Sequence, residues 1–259
     1  MIGRRGRQPV VFMYHGFCEH WRDDDPENLF VEVTALEQQL RWLLDHGWEP
    51  LTLARWVEVR ARRQPAPSRS FLLTIDDALV SVADLALPVL ERLAVPCVLF
   101  VPMGLVGRTA EWLPEPADAP ILDRGRLVAL DRDLVELGVH GWDHTSMAGC
   151  GPDELTLQVD RGRQELESWL GHPPRAFAYP FGDHDAGARA RVAEAGFDVA
   201  FSVFDDAGPV AVSRVDVNAT DTLSSFRFKT IPSYRRLWRL SHRVAFLRRA
   251  ARVALTRGR

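Results

Sequence analysis

The 259-residue chain is 46% hydrophobic, enough for one large α/β domain or two small ones around a sizeable core. Its net charge of −3 hides an asymmetry: ten arginines and Lys229, but no acidic residue, follow Asp221, so residues 1 to 221 carry 21 basic against 35 acidic side chains. Such a body excludes a general nucleic-acid binder, because counterion release needs a basic surface, and only the tail suits a polyanion.

No apolar run approaches the ~20 residues of a membrane-spanning helix. The start, MIGRRGRQPVVFMYH, has basic residues with only a short strand-like run behind them, so no signal peptide is expected. Cys18, Cys97 and Cys150 are odd in number and lack C-x-x-C spacing, which argues against a disulfide framework or a thiolate zinc site. They read as small buried or incidental residues, and a reducing cytoplasm is the expected location.

In chain order, residues 1 to 8 read as an extension before the first strand, VVFMY at 10 to 14. A helix is predicted over 32 to 46, where Val33, Leu36, Leu40, Leu43 and Leu44 share one face and Gly47 acts as a stop. FLLTI at 71 to 75 predicts a strand, followed by a helix near 80 to 94 and the strand VLFV at 98 to 101. Residues 103 to 122, rich in proline and acidic side chains, read as a surface excursion beside the sheet. A helix near 123 to 137 is then expected to precede the strand LGVH, a long helix near 153 to 170 to precede RAFAY, and a helix near 185 to 195 to precede FDVAFSV. Repeated β/α order predicts a parallel sheet, open or closed into a barrel, with ligands at the carboxyl ends of its strands.

The chemistry gathers at those ends. Asp76 and Asp77 close the strand FLLTI, and neighbouring residues on a strand point to opposite sides unless a turn redirects one. A shared cation would relieve their repulsion, with one carboxylate as ligand and the other facing a water; a helix N-terminus also accommodates two acids. His140 and His144 follow the strand LGVH. Two imidazoles and one carboxylate form an open three-ligand site of the catalytic kind, whereas either histidine alone could simply bond a backbone group. RAFAYPFGDHD, 175 to 185, reads as a rigid turn able to present backbone N–H groups, or as a purely structural one.

TIDDA at 74 to 78, HGWDH at 140 to 144 and FAYPFG at 177 to 182, in that order, resemble the polysaccharide deacetylase family, also called carbohydrate esterase family four or the NodB-homology domain. VVFMYHGF and DHGWEPLTL are similar to its branch in extracellular or capsular polysaccharide metabolism. The resemblance covers residues 9 to 220 and leaves 221 to 259 as a basic tail. It implies a distorted (β/α) barrel and metal-dependent removal of N-acetyl, sometimes O-acetyl, groups from an acetylated glycan. It also implies Asp76 as general base, Asp77, His140 and His144 as metal ligands, and the backbone N–H of Phe181 as an oxyanion donor. Zinc is the first expected ion, and nickel, cobalt or iron suit the same ligands.

The chain departs from the family pattern around this centre. Ala78 stands where glycine is usual and Ile75 where phenylalanine is; an alanine forced to positive φ costs about 1 kcal/mol or more. Ala178 replaces an arginine that orients the catalytic aspartate, and Arg214 is the expected substitute. A late Leu-x-x-His motif is missing, so His15 is the candidate general acid, with bracing of the site as its equal alternative. A noncatalytic sugar-binding protein on the same fold is the runner-up. A receiver-type phosphoacceptor is disfavoured because the sole lysine, Lys229, lies in the tail, and a serine esterase because no G-x-S-x-G occurs.

Trp142, between the histidines, and Trp112, in the proline-rich loop, could stack on a sugar or simply bury area. Residues 234 to 255 place Leu237, Leu240, Val244, Leu247 and Ala251 at helical spacing among arginines. That tail would either lie on an anionic membrane surface or pack against the acidic body.

Overall fold

The computed structural model describes residues 8–113 and 119–234. The N-terminal extension up to residue 7, part of the proline-rich loop and the basic helix expected over 234 to 255, apart from Tyr234, lie outside them. Among the described residues no helix is long and apolar enough to cross a membrane.

The strands are β1 (Val10–Tyr14), β2 (Gly16–Cys18), β3 (Phe30–Glu32), β4 (Glu49–Pro50), β5 (Ser70–Ile75), β6 (Cys97–Val101), β7 (Val135–Val139), β8 (Ala176–Ala178), β9 (Val199–Phe201) and β10 (Val215–Asp216). The main sheet runs β10-β1-β5-β6-β7-β8-β9, with β4 beside the start of β5, and each strand pairing in it is parallel. β2 and β3 form a separate parallel pair. The sheet curls into the expected distorted barrel. Its edges are joined by one short segment: Val212 pairs with Phe201 of β9, and three residues on, Val215 and the following Asp216 pair with Phe12 and Met13 of β1.

Strands covered on both faces must be apolar on both, and β1, β5 and β6 are buried along their whole length. Period-two alternation divides them. Val11, Leu72, Val98, Phe100, Ala176 and Phe201 fill the interior, where Trp56 of a helix at Leu53–Arg60 joins them. Phe12, Leu73, Leu99, Val101 and Val139 instead meet the outer helices. Gly138 permits this interior: a Cβ there would lie 2.5 Å from the Phe100 ring.

The outer layer includes α1 (Val33–Asp45), α2 (Leu53–Arg60), α3 (Leu87–Leu93), α4 (Arg124–Val128), α5 (Pro152–Leu155), α6 (Gly162–Leu170), α7 (Ala186–Glu194) and α8 (Leu223–Lys229). A π turn at Val82–Ala86 leads into α3, and another at Thr156–Arg161 joins α5 to α6. The helix expected over 123 to 137 is a correction: α4 stops at Val128, because Asp131 opens a turn that accepts the N–H groups of Leu134 and Val135, and β7 starts there. The sequence reading also passed over α2, β2, β3 and β4.

The packed body continues beyond residue 220. Thr222 caps α8, Phe226 is fully buried with its ring 5.0 Å from that of Phe12, and Lys229 donates to the Asp216 carbonyl at 2.8 Å and to the Asp221 carboxylate. Phe226→Ala should therefore cost about 3–5 kcal/mol of unfolding free energy in a urea titration, the loss typical of a core phenylalanine. A loss below about 0.5 kcal/mol would mean α8 is not part of the body.

Candidate active site

In a parallel barrel every strand delivers its following residue to the same face. His15 follows β1, Asp76 follows β5, His140 follows β7, and the Tyr179–Gly182 turn follows β8. Leu72, Thr74 and Asp76 share the inner face by alternation, so the Asp76 carboxylate points into the barrel mouth, and its N–H donates to the Tyr14 carbonyl at 2.9 Å.

Asp77 would point outward if the strand continued. It does not, because Asp77 and Ala78 both adopt left-handed backbone, with φ of 71° and 50°. This kink brings the second carboxylate round to the same opening. Alanine bears the positive φ where glycine would bear it freely; its methyl lies fully buried in the outer core, and that burial offsets part of the strain.

Asp76 is held by a buried bidentate pair. Arg214 Nη1 donates to Oδ1 at 2.6 Å and Nη2 to Oδ2 at 2.7 Å, while Nε donates to the Ser202 carbonyl at 3.1 Å and Nη1 also reaches Thr74 Oγ1 at 3.2 Å. The guanidinium is buried, 5.7 and 5.9 Å from the ring centres of Phe100 and Phe201. Burial alone would raise the Asp76 carboxyl; the charge of Arg214, with smaller help from His140 and His15, reverses this and holds it below its ordinary value.

Asp77 faces the two imidazoles. Its Oδ1 lies 3.4 Å from His140 Nε2 and 3.2 Å from His144 Nε2, and one ligand atom from each of the three residues falls within a 4.8 Å group. His140 Nδ1 is 2.8 Å from the Ala178 carbonyl, a contact that places the ring proton on Nδ1 and leaves the Nε2 lone pair toward Asp77. Thus Ala178 contributes through its backbone where the family's arginine would contribute a side chain. Asp77 Oδ1 is buried without a hydrogen-bond partner, an orphan that a divalent cation would satisfy. Burial lowers His144, favouring the neutral ring a metal needs. The donor set therefore fits zinc or a similar ion.

The aromatic walls fix the ligands further. Trp112 stacks on His144 with ring centres 3.9 Å apart and planes 14° apart, and the Phe181 ring makes a T-shaped contact with His144 at 4.5 Å. These groups line one cavity of about 400 Å³ that also includes His15, Leu29, Glu27 and Asp216. His15 Nε2 lies 4.0 Å from Asp76 Oδ2. Phe181 has φ 56°. Trp142 stands apart from the cavity, half-buried beside Gly104 and beneath the Arg161 guanidinium, 4.1 Å from its ring centre. Cys18, Cys97 and Cys150 are all free thiols, the first two buried. The structure thus gathers Asp76, Asp77, His140, His144, His15 and Phe181 at one opening, with Arg214 buried against Asp76; Thr74 and the Ala178 carbonyl are partners the sequence reading did not name.

A family model described as polysaccharide deacetylase matches residues 63–200. The chain belongs to the polysaccharide deacetylase family. The poly-beta-1,6-N-acetyl-D-glucosamine N-deacetylase of Escherichia coli K12 is 24% identical over 233 residues, covering 74% of this chain and 33% of the relative. The chain therefore spans about a third of that relative's length. Its curated relatives are polysaccharide N-deacetylases, and the fold recurs in solved structures. Streptococcus pyogenes deacetylase PplD, in complex with acetate, matches with a TM-score of 0.75 and 18% identity over 88% of this chain and 100% of its own. IcaB from Ammonifex degensii matches with a TM-score of 0.72 and 24% identity over 87% and 98%.

Arg214→Met retains bulk but leaves the buried Asp76 carboxylate unpaired, which should cost about 3–5 kcal/mol at neutral pH. The sign with pH follows from the two carboxyl positions. In the unaltered protein the depressed Asp76 contributes stability above its unfolded value, near ~3.9, and loses it as pH falls through the folded value. In the variant burial raises Asp76, so its penalty relaxes on acidification; the gap between the two denaturation curves should narrow as pH falls. A gap independent of pH would contradict the pairing.

Proposed function

We propose that this protein is a metal-dependent hydrolase that removes N-acetyl groups from a poly-N-acetylglucosamine-type glycan of the cell envelope or an exopolysaccharide. The observation that carries the reading is the pairing at the barrel mouth: a carboxylate kept ionised by Arg214 stands beside an Asp77, His140 and His144 group whose Asp77 oxygen lacks a partner. The named activity of the Escherichia coli relative supports the choice of glycan.

Asp77 Oδ1 and the two Nε2 atoms would hold the ion. Zinc, or one of its neighbours, would there polarise the acetamide carbonyl and lower the pKa of water toward ~7. The chain's own groups supply the rest. Asp76 takes a proton from the attacking water at Oδ2, the oxygen nearer His15 and His140. Arg214 fixes the carboxylate plane and keeps it charged. The Phe181 N–H is the donor for the developing oxyanion. His15 gives a proton to the departing nitrogen and recovers one from Asp76, so one water and one acetamide give acetate and the protonated amine. Trp112 and Leu113 supply an apolar wall suited to a sugar face.

The test is acetate release from β-1,6-linked N-acetylglucosamine oligosaccharides by the zinc-loaded chain, with an O-acetylated glycan run in parallel. Asp76→Asn should keep its metal and lose about 10²–10⁴-fold in rate, while Asp77→Asn should lose metal. Full activity in Asp76→Asn would remove the base assignment. A metal-loaded chain that binds these glycans but releases no acetate would leave the sugar-binding reading instead.

A further inference from the structure

The loop from His140 to His144 carries both imidazoles, so its shape sets their separation. One side of it is pinned through its carbonyls: Met103 N–H donates to Gly141 at 3.2 Å and Gly104 N–H to Trp142 at 2.7 Å. The other side is pinned through its amides by Gln158. Its Oε1 accepts the Trp142 N–H at 2.7 Å and lies 3.4 Å from the Asp143 nitrogen, and its Nε2 donates to Asp143 Oδ1 at 2.5 Å. That carboxylate oxygen also accepts the Thr145 N–H at 3.2 Å.

Gln158 is 2% exposed and sits in the π turn Thr156–Arg161 that interrupts the helix over the loop. Such turns inside α-helices recur at functional sites. The fit is close: Gly141 has φ 71°, and a Cβ there would lie 2.9 Å from Gln158 Oε1. Four residues further along the helix, a Cβ on Gly162 would lie 2.9 Å from Val139 Cγ1 and 3.4 Å from the Gly141 carbonyl. The helix thus presses on the loop at backbone distance. Gln158 itself is not among the residues lining the reaction cavity.

We infer that Gln158 is a positioning residue for the metal ligands. By holding the two amides between His140 and His144, and the Asp143 carboxylate beside them, it maintains the left-handed Gly141 and His144 backbone that turns both Nε2 atoms toward Asp77. It acts through the loop, and its effect is on ion affinity and coordination geometry. This inference rests on the metal-site reading of the cavity.

The experiment titrates the metal-free full-length chain with zinc(II) against a competing chelator and records the visible spectrum of its cobalt(II) form. Gln158→Met retains volume without these hydrogen bonds and should weaken zinc about 10–100-fold and alter the cobalt bands, the scale of loss seen when the support around metal ligands is removed. Gln158→Glu places a second carboxylate against Asp143 and should lose at least as much. The double variant Gln158→Glu with Asp143→Asn restores the pair with its polarity reversed and should regain about tenfold of the lost affinity. Thermal melts of the metal-free proteins show that each is folded. Wild-type zinc affinity and cobalt spectrum in Gln158→Met overturn the positioning role alone, as does an equal loss in Gln158→Glu and the double variant. A wild-type chain that binds neither zinc nor cobalt overturns both this inference and the metal reading.

Discussion

A carboxylate required to stay ionised inside a barrel imposes the main constraint on this molecule. Asp76 is 2% exposed, and removing its charge from water is affordable only with a partner of matching geometry. Arg214 supplies it with two parallel N–H donors, and its third nitrogen is engaged by the Ser202 carbonyl, so the guanidinium has no freedom to turn away. Around this fixed pair the remaining groups acquire their roles: Asp77 is free to serve another positive charge, and His15 and His140 approach Asp76 within 4.0 and 3.9 Å without being its principal partners.

The barrel makes that arrangement from local rules. Alternation along β5 aims Thr74 and Asp76 inward, and the left-handed pair Asp77 and Ala78 then breaks the alternation so that a second carboxylate joins the first. Positive φ recurs at Gly141, His144, Phe181 and Gly182, in two other loops at the mouth. Backbone strain of this kind persists where surrounding contacts over-determine it. Here they are the stacked Trp112, the T-shaped contact of Phe181 and the hydrogen bonds that Gln158 accepts from Trp142 and donates to Asp143.

Much of this was legible in the sequence because it depends on short-range pattern. The strands VVFMY, FLLTI and VLFV announce themselves as unbroken apolar runs, and the chemistry-bearing residues follow directly: Asp76 and Asp77 after one strand, His140 after another. The assignment of Arg214 came from a resemblance, since a lone arginine in the broken segment VSRVDVN shows no periodicity and its partner lies 138 residues away. The joining of β9 to β1 through Val212 and Val215 was hidden for the same reason, each contact being only one or two residues long. Gln158 looked like any polar helix residue, because a π turn has no sequence signature. The expected helix over 123 to 137 went too far because the apolar residues near its end serve a strand, and short apolar runs fit either period.

The segment from Val212 to Asp216 belongs first to one edge of the sheet and then to the other, with Arg214 at the crossover. The stretch matched by the family model, residues 63–200, contains every proposed ion ligand but neither this segment nor β1. A fragment cut to those limits would retain the ion-binding groups and strand a buried negative charge beside them. The smallest self-sufficient unit must therefore reach from the first strand through the last, and any transplant of this centre into another scaffold has to carry that distant crossover along.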